Sequence, residues 1–186
     1  MDKTIFYLIK KVPFSEDFIN TLPQELIDYS TKKYTKKNLK SSLYAWHLLL
    51  KISGLDFNNV KFLQNGKPIV DGYSISLSHS KDLVFVAYSS QDNNFGIDIE
   101  YIDHNKNLDT FKKLKNFTFN TTYEFYSRWT EREAYLKTLS DKKFKDVNYY
   151  FNGITNTVKI DEDEYSFSIY ADNNIKFMKV DYENYV

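Results

Sequence analysis

The stretch Phe95-Gly96-Ile97-Asp98-Ile99-Glu100 constrains this chain more than any other. It alternates with period two and reads as a β-strand, its isoleucines entering a core and Asp98 and Glu100 leaving the opposite face as surface carboxylates. Two negative charges thereby share one small volume. Each raises the other's proton affinity unless a cation intervenes, and hard oxygen ligands on a rigid strand suit magnesium. A solvent-facing strand edge would show the same alternation, so the strand alone leaves both readings open.

A second segment narrows the choice. Tyr123 to Leu139 contains no proline or glycine and reads as a helix, on which Trp129, Glu133 and Lys137 recur at helical spacing in one stripe. On such a stripe Glu133 can complete a metal site or remove a proton, Lys137 can hold a phosphate, and Trp129 can wall a cleft against water. The competing reading is a surface Glu133–Lys137 pair worth about 0.3 kcal/mol beside a core tryptophan.

Around these segments the chain reads as α+β. A strand is expected from Thr4 to Ile9, and helical periodicity from Asp17 to Tyr34. It is stronger from Lys36 to Ile52, where Leu39, Leu43, Trp46, Leu49 and Leu50 form one stripe that Gly54 stops. Val60 to Leu63 leads into the turn Asn65-Gly66-Lys67-Pro68, and strands Ser74–Leu77 and Val84–Tyr88 are joined through His79, Ser80, Lys81 and Asp82. The tail resumes strand character at 147–151, 157–160, 165–170 and 176–182. Ser74–Ser89 and Tyr165–Tyr182 share a strand, polar turn, strand order downstream of a strong helix. This suggests two similar halves, 1–94 and 95–186, joined in one compact unit with the active cleft between them.

Composition excludes several classes. With 42% hydrophobic residues in 186, the chain can bury a sizeable core, which rules out a disordered tail. Its 25 basic residues balance 25 acidic ones, so no global charge points to nucleic acid or a membrane surface. No cysteine is present, hence no thiolate nucleophile and no disulfide framework. The apolar stretch Ile5 to Ile9 is too short for a membrane span. A cytoplasmic protein is expected.

Other residues suit anion binding. Ser76, Ser78 and Ser80 around His79 make no serine nucleophile, because neighbours in an extended segment point to opposite faces and no elbow glycine is present. Ser78 and His79 at a strand end are better suited to donating hydrogen bonds to a phosphate, with a satisfied structural histidine as the alternative. Lys67 on its turn can present an ammonium to an anion. Lys32, Lys33, Lys36, Lys37 and Lys40 form a basic run that also fits a solvated helix face.

Taken in order, these pieces resemble the 4'-phosphopantetheinyl transferase superfamily, whose hallmark is G-[IVL]-D-[ILV]-E followed by W-[ST]-x-K-E-A-x-x-K. The matching segments are Gly96 to Glu100 and Trp129-Thr130-Glu131-Arg132-Glu133-Ala134-Tyr135-Leu136-Lys137. Gly66-Lys67-Pro68 and Ser78-His79-Ser80 resemble the upstream G-K-P and S-H-S segments of the longer, surfactin-synthetase-activating type. Motif support runs from about Lys32 to Lys137. The chain departs from the pattern at Arg132, where lysine is usual, and at Ser42, where many relatives place an arginine for the 3'-phosphate. The span between Glu100 and Trp129 is also shortened. It lacks a glutamate after phenylalanine, for which Glu124 is the one candidate.

The resemblance implies a fold of two α+β halves in pseudo-two-fold arrangement and a magnesium-dependent transfer of phosphopantetheine from coenzyme A to a serine of an acyl or peptidyl carrier protein. By it, Asp98, Glu100 and Glu133 hold the metal, Glu133 takes the serine proton and Lys137 stabilises the leaving 3',5'-ADP. Lys67, Ser78 and His79 hold the nucleotide, Lys33 or Lys40 replaces the missing arginine, and Trp129 lines the site. A monomer acting without nucleic acid or membrane partners is expected. The alternative is a non-catalytic coenzyme A or carrier-protein binding module on the same fold. On either reading, Lys67→Ala and His79→Ala should each weaken coenzyme A binding in a calorimetric titration; wild-type affinity in both would leave these side chains a purely structural role.

Overall fold

The computed structural model describes residues 3–63, 66–91, 93–114, 117–139, 151–172 and 175–185; the expected strand residues 147–150 lie outside them. In chain order the elements are β1 (Thr4–Lys11), α1 (Gln24–Lys33), α2 (Lys36–Ser53), β2 (Lys61–Phe62), β3 (Pro68–Ile69), β4 (Ser74–Ser80), β5 (Leu83–Ser89), β6 (Phe95–Tyr101), α3 (Thr122–Leu136), β7 (Gly153–Ile160), β8 (Asp163–Ala171) and β9 (Lys176–Lys179). The chain is mixed α+β and divides into two compact units, Met1–Asn93 with Asn174–Val186, and Asn94–Asn173.

In the first unit a four-stranded sheet has the order β4-β5-β1-β9, with β9 parallel to β1 and the other pairs antiparallel. The α2 stripe supplies its cover: Leu43, Trp46 and Leu49 are buried against Leu8, Val84 and Val86, while Leu39 and Leu50 are partly covered at the margin. Gly54 ends the helix in the left-handed region at φ +68, its N–H reaching Leu50 O at 3.0 Å, a conformation that favours a residue without Cβ. Aromatic contacts tie the smaller elements down. Phe62 of β2 stacks on Tyr29 of α1 with ring centroids 4.0 Å apart and meets Trp46 of α2 edge-on at 6.0 Å.

Three expectations are corrected. The helical pattern over 17–34 breaks into a 3-10 turn, Asp17–Thr21, and α1, because Pro23 cannot donate to a continuing ladder and stands instead at the N-cap of α1. Ser78 and His79 belong to β4 itself, which runs to Ser80, and the hairpin turns on Lys81 and Asp82 with Lys81 at φ 54. The tail does not repeat that hairpin. β8 already has β6 and β7 on its two edges, so β9 joins β1 in the other sheet, and 182–185 forms a 3-10 turn.

The second unit is a three-stranded sheet, β6-β8-β7, with α3 across it. Its antiparallel register sets Asp98 opposite Ser168, Glu100 opposite Ser166, Gly96 opposite Tyr170 and Thr155 opposite Ser168. Directly opposed residues share a face, so this face is polar along its length, while Ile97, Ile99, Phe167 and Ile169 are buried on the other. The helix lies on the polar face. A side chain at Gly96 would meet Ala134 O at 2.1 Å and Lys137 Cβ at 3.0 Å, so the glycine lets the last turn of α3 approach β6.

A satellite cluster of Ile102, Phe117, Phe125 and Tyr126, with Phe111 and Trp129 against it, secures the segment leading into α3. Gly96→Ala must push that helix away from the strand, and a destabilisation of about 1–3 kcal/mol is expected in urea unfolding. A wild-type midpoint would show that the approach is not sterically limited.

Candidate active site

Lys137, at the C-cap of α3, donates to Ile97 O and to Asp98 Oδ1, both at 2.8 Å. Asp98 is only 5% exposed, which corrects the surface carboxylate expected from alternation alone. α3 covers its face of the strand, and the Lys137 ammonium offsets the cost of burying the charge. Glu133, one turn before Lys137, is half-buried. Burial and the Asp98 carboxylate push its pKa above the ordinary glutamate value, against the opposing pull of Lys137 and Arg132. Glu100 follows Asp98 on the same strand face and is partly exposed. Asp98, Glu133 and Lys137 thus act on one another, while Trp129, the third member of the expected helical stripe, packs against the aromatic cluster of its unit.

This donor set fits a hard divalent cation through its chemistry. Asp98 and Glu133 are carboxylates in mutual repulsion, and an added positive charge would relieve it. Among the described residues no three His, Asp or Glu side chains stand grouped as a cation site. The fit therefore rests on Asp98 and Glu133, with Glu100 further along β6. Glu124, the candidate for the missing glutamate, is a helix cap: its Oε2 accepts from Asn120 N at 2.6 Å and its N–H donates to Thr121 Oγ1 at 3.1 Å.

Beside the acidic pair runs a chain of hydroxyls. Thr130 Oγ1 lies 2.8 Å from Ser168 Oγ and 3.2 Å from Ser166 Oγ, and also donates to Ser127 O at 3.0 Å. Ser168 continues to Thr155 at 2.9 Å, and Thr155 donates to Glu131 Oε1 at 3.0 Å. Thr130, Ser166 and Ser168 are fully buried. Four hydroxyl protons serve these five contacts, so with Glu131 ionised one contact goes without a proton. A protonated Glu131 reverses its bond to Thr155, and all five are made. Burial raises the Glu131 pKa, opposed by the Thr155 bond and Arg128.

Sequence reasoning missed this chain, although Tyr165-Ser166-Phe167-Ser168-Ile169 alternates as plainly as β6 does. The burial of Arg132, noted in sequence only as a departure from the motif, was also not foreseen: it is 1% exposed, with its guanidinium carbon 6.0 Å from the Phe117 ring centre.

The proposed nucleotide residues fall in the first unit. Lys33 Nζ donates to Tyr29 Oη at 2.9 Å and to Gly66 O at 3.2 Å, which joins α1 to the Gly66-Lys67 turn. Burial lowers its pKa, but the hydrogen bond to Tyr29 and the nearby Tyr34 outweigh that and leave it raised. Tyr34 in turn meets the His79 ring edge-on at 6.1 Å, so Lys33, the Lys67 turn and His79 near the end of β4 form one neighbourhood. Ser78, the preceding residue of the same strand, pairs with Phe85 and leaves by the opposite face, which corrects the expectation that the two act together. Lys40 is elsewhere, donating to Phe14 O at 2.7 Å and pairing with Glu16 at 3.7 Å. Ser42 is buried in α2. Trp129 stacks on Phe125 with ring centroids 5.7 Å apart and belongs to the aromatic cluster of its unit.

No known protein-family model matches the chain, and no curated protein matches it. Among the described residues no helix is long and apolar enough to cross a membrane.

A carboxyl whose folded pKa is raised contributes stability below its ordinary value and loses it as pH rises through the folded one. Glu131→Gln keeps an acceptor for Thr155 and adds a donor. It should match wild type in thermal unfolding at about pH 3.5, below the ordinary Glu range, and exceed it increasingly toward neutral pH. Equal midpoints across that range would show that ionised Glu131 carries no cost.

Proposed function

We propose that this protein is a 4'-phosphopantetheinyl transferase of the two-half, surfactin-synthetase-activating type, which moves the phosphopantetheine arm of coenzyme A to a serine of an acyl or peptidyl carrier protein. The observation that carries the reading is the set Asp98, Glu133 and Lys137, held together where α3 crosses β6 at Gly96. The two hallmark segments, distant in sequence, come into contact there through Lys137 and Asp98, which supports the reading.

The chemistry asked of these residues is modest. Glu133 takes the proton of the carrier serine hydroxyl. The serine oxygen bonds to the β-phosphorus as the bond from that phosphorus to the bridging oxygen breaks, and the electron pair leaves with 3',5'-ADP. Lys137 supplies positive charge beside the departing group. Asp98 and Glu133, with Glu100, would hold magnesium, which when bound neutralises charge on the diphosphate. Lys33, Lys67 and His79 bind the nucleotide and its 3'-phosphate in this reading. The nucleophile comes from the carrier, in keeping with the absence of cysteine. The protein acts as a cytoplasmic monomer on this proposal.

A second reading, a non-catalytic coenzyme A or carrier-binding module, draws on the Lys137–Asp98 pair, which already balances one of the carboxylates. Intact-mass measurement separates the two. Apo acyl carrier protein and apo peptidyl carrier protein, each incubated with this protein, coenzyme A and magnesium, should gain a phosphopantetheine mass that chelator abolishes. Asp98→Asn should remove the gain and keep the fold by circular dichroism. Coenzyme A binding without a mass gain on either carrier would favour the module, and no binding at all would end the family reading.

A further inference from the structure

Thr130 stands in the hallmark helix segment, and the reaction as described gives it no task. It is fully buried one turn before Ala134 and two turns before Lys137, so all three lie on the side of α3 that faces the sheet. At the Ala134–Lys137 end the helix is limited by contact, since Gly96 leaves no room for even a methyl group. At the Thr130 end it is tied by hydrogen bonds to Ser168 at 2.8 Å and Ser166 at 3.2 Å. These serines stand directly opposite Asp98 and Glu100 in the β6–β8 register.

One residue thus joins α3 to the cross-strand partners of both acidic residues. Contact at one end sets the height of the helix over β6, and the hydrogen bonds at the other set its rotation and register. From the same helix Lys137 reaches Asp98 at 2.8 Å and Glu133 comes near it.

We propose that Thr130 is a positioning residue whose hydroxyl, seated on Ser166 and Ser168, holds α3 in the register that brings Glu133 to Asp98 as a divalent-cation site with Lys137 beside it. The inference rests on the transferase reading for the use of that site, but the geometry it invokes is independent of turnover. A threonine methyl packed in the same place without its hydroxyl would fill the space and lose the register. Serine would keep the register and lose only the methyl.

The test compares Thr130→Val and Thr130→Ser with the wild-type chain. Manganese binding followed by electron paramagnetic resonance is the primary readout, and urea unfolding is run in parallel. Thr130→Val is expected to stay folded but bind manganese about tenfold more weakly, as for other groups that orient metal ligands. Thr130→Ser is expected to restore wild-type affinity. In the carrier assay, kcat should follow the same order while KM for coenzyme A stays unchanged.

Wild-type manganese affinity and kcat in a folded Thr130→Val, with only the unfolding midpoint lowered, would overturn the proposal and leave Thr130 a core residue. Weakened binding in Thr130→Ser equal to that in Thr130→Val would also overturn it, because the hydroxyl would then not be the cause. A wild-type chain that takes up no manganese would overturn the metal site itself. A wild-type chain that binds manganese but modifies no carrier would instead count against the transferase reading alone.

Discussion

The approach of α3 to β6 is the contact on which the second unit depends. Ala134 and Lys137 come so close to Gly96 that the strand cannot carry a side chain there, and only at that distance does the Lys137 ammonium reach Asp98 Oδ1 and Ile97 O together. Burial of the Asp98 carboxylate follows from the same approach. Without a cation in reach, a charge so far from water would cost several kcal/mol. Glycine, aspartate and lysine are therefore one structural requirement spread over two elements, and changing any of them alters the terms for the others.

A sheet with one apolar and one polar face usually gives the polar face to water. Here the polar face of β6 and β8 lies under a helix, and the helix answers it with polar groups of its own. Thr130 meets Ser166 and Ser168, Glu131 meets Thr155, and Lys137 meets Asp98. Such a layer contributes less to stability than a packed apolar one would, but each hydrogen bond is satisfied in one helix position only. Ionisable groups placed on a strand and a helix so constrained are held more narrowly than loop residues. The raised pKa of Glu133 is a product of that enclosure as much as of its neighbour.

The first unit places its candidate groups by a different means. Aromatic contacts do the work: Tyr29 stacks on Phe62, Phe62 meets Trp46, and Tyr34 meets His79. Lys33 lies among these rings and reaches across to Gly66 O, so the turn carrying Lys67 is fastened to α1 although β2 and β3 are only two residues each. A cation set against tyrosines keeps its charge in a partly enclosed setting.

Local pattern alone determined much of this. Period-two alternation at Phe95–Glu100 and helical spacing over α2 and α3 marked the elements, because burial of one face selects residues at those intervals. Motif spacing likewise marked Asp98, Glu133 and Lys137. Pairing was beyond its reach: β9 and β8 look alike in sequence, yet β8 has both edges taken and β9 completes a different sheet. So was the depth of Asp98, since alternation says which face a carboxylate leaves by and not what covers that face. The hydroxyl chain from Ser166 to Glu131 was missed for a similar reason, its serines being unremarkable until α3 is set over them. Sequence determined which residues share a face; only the tertiary structure decided which faces meet, because that choice depends on contacts between segments far apart in the chain.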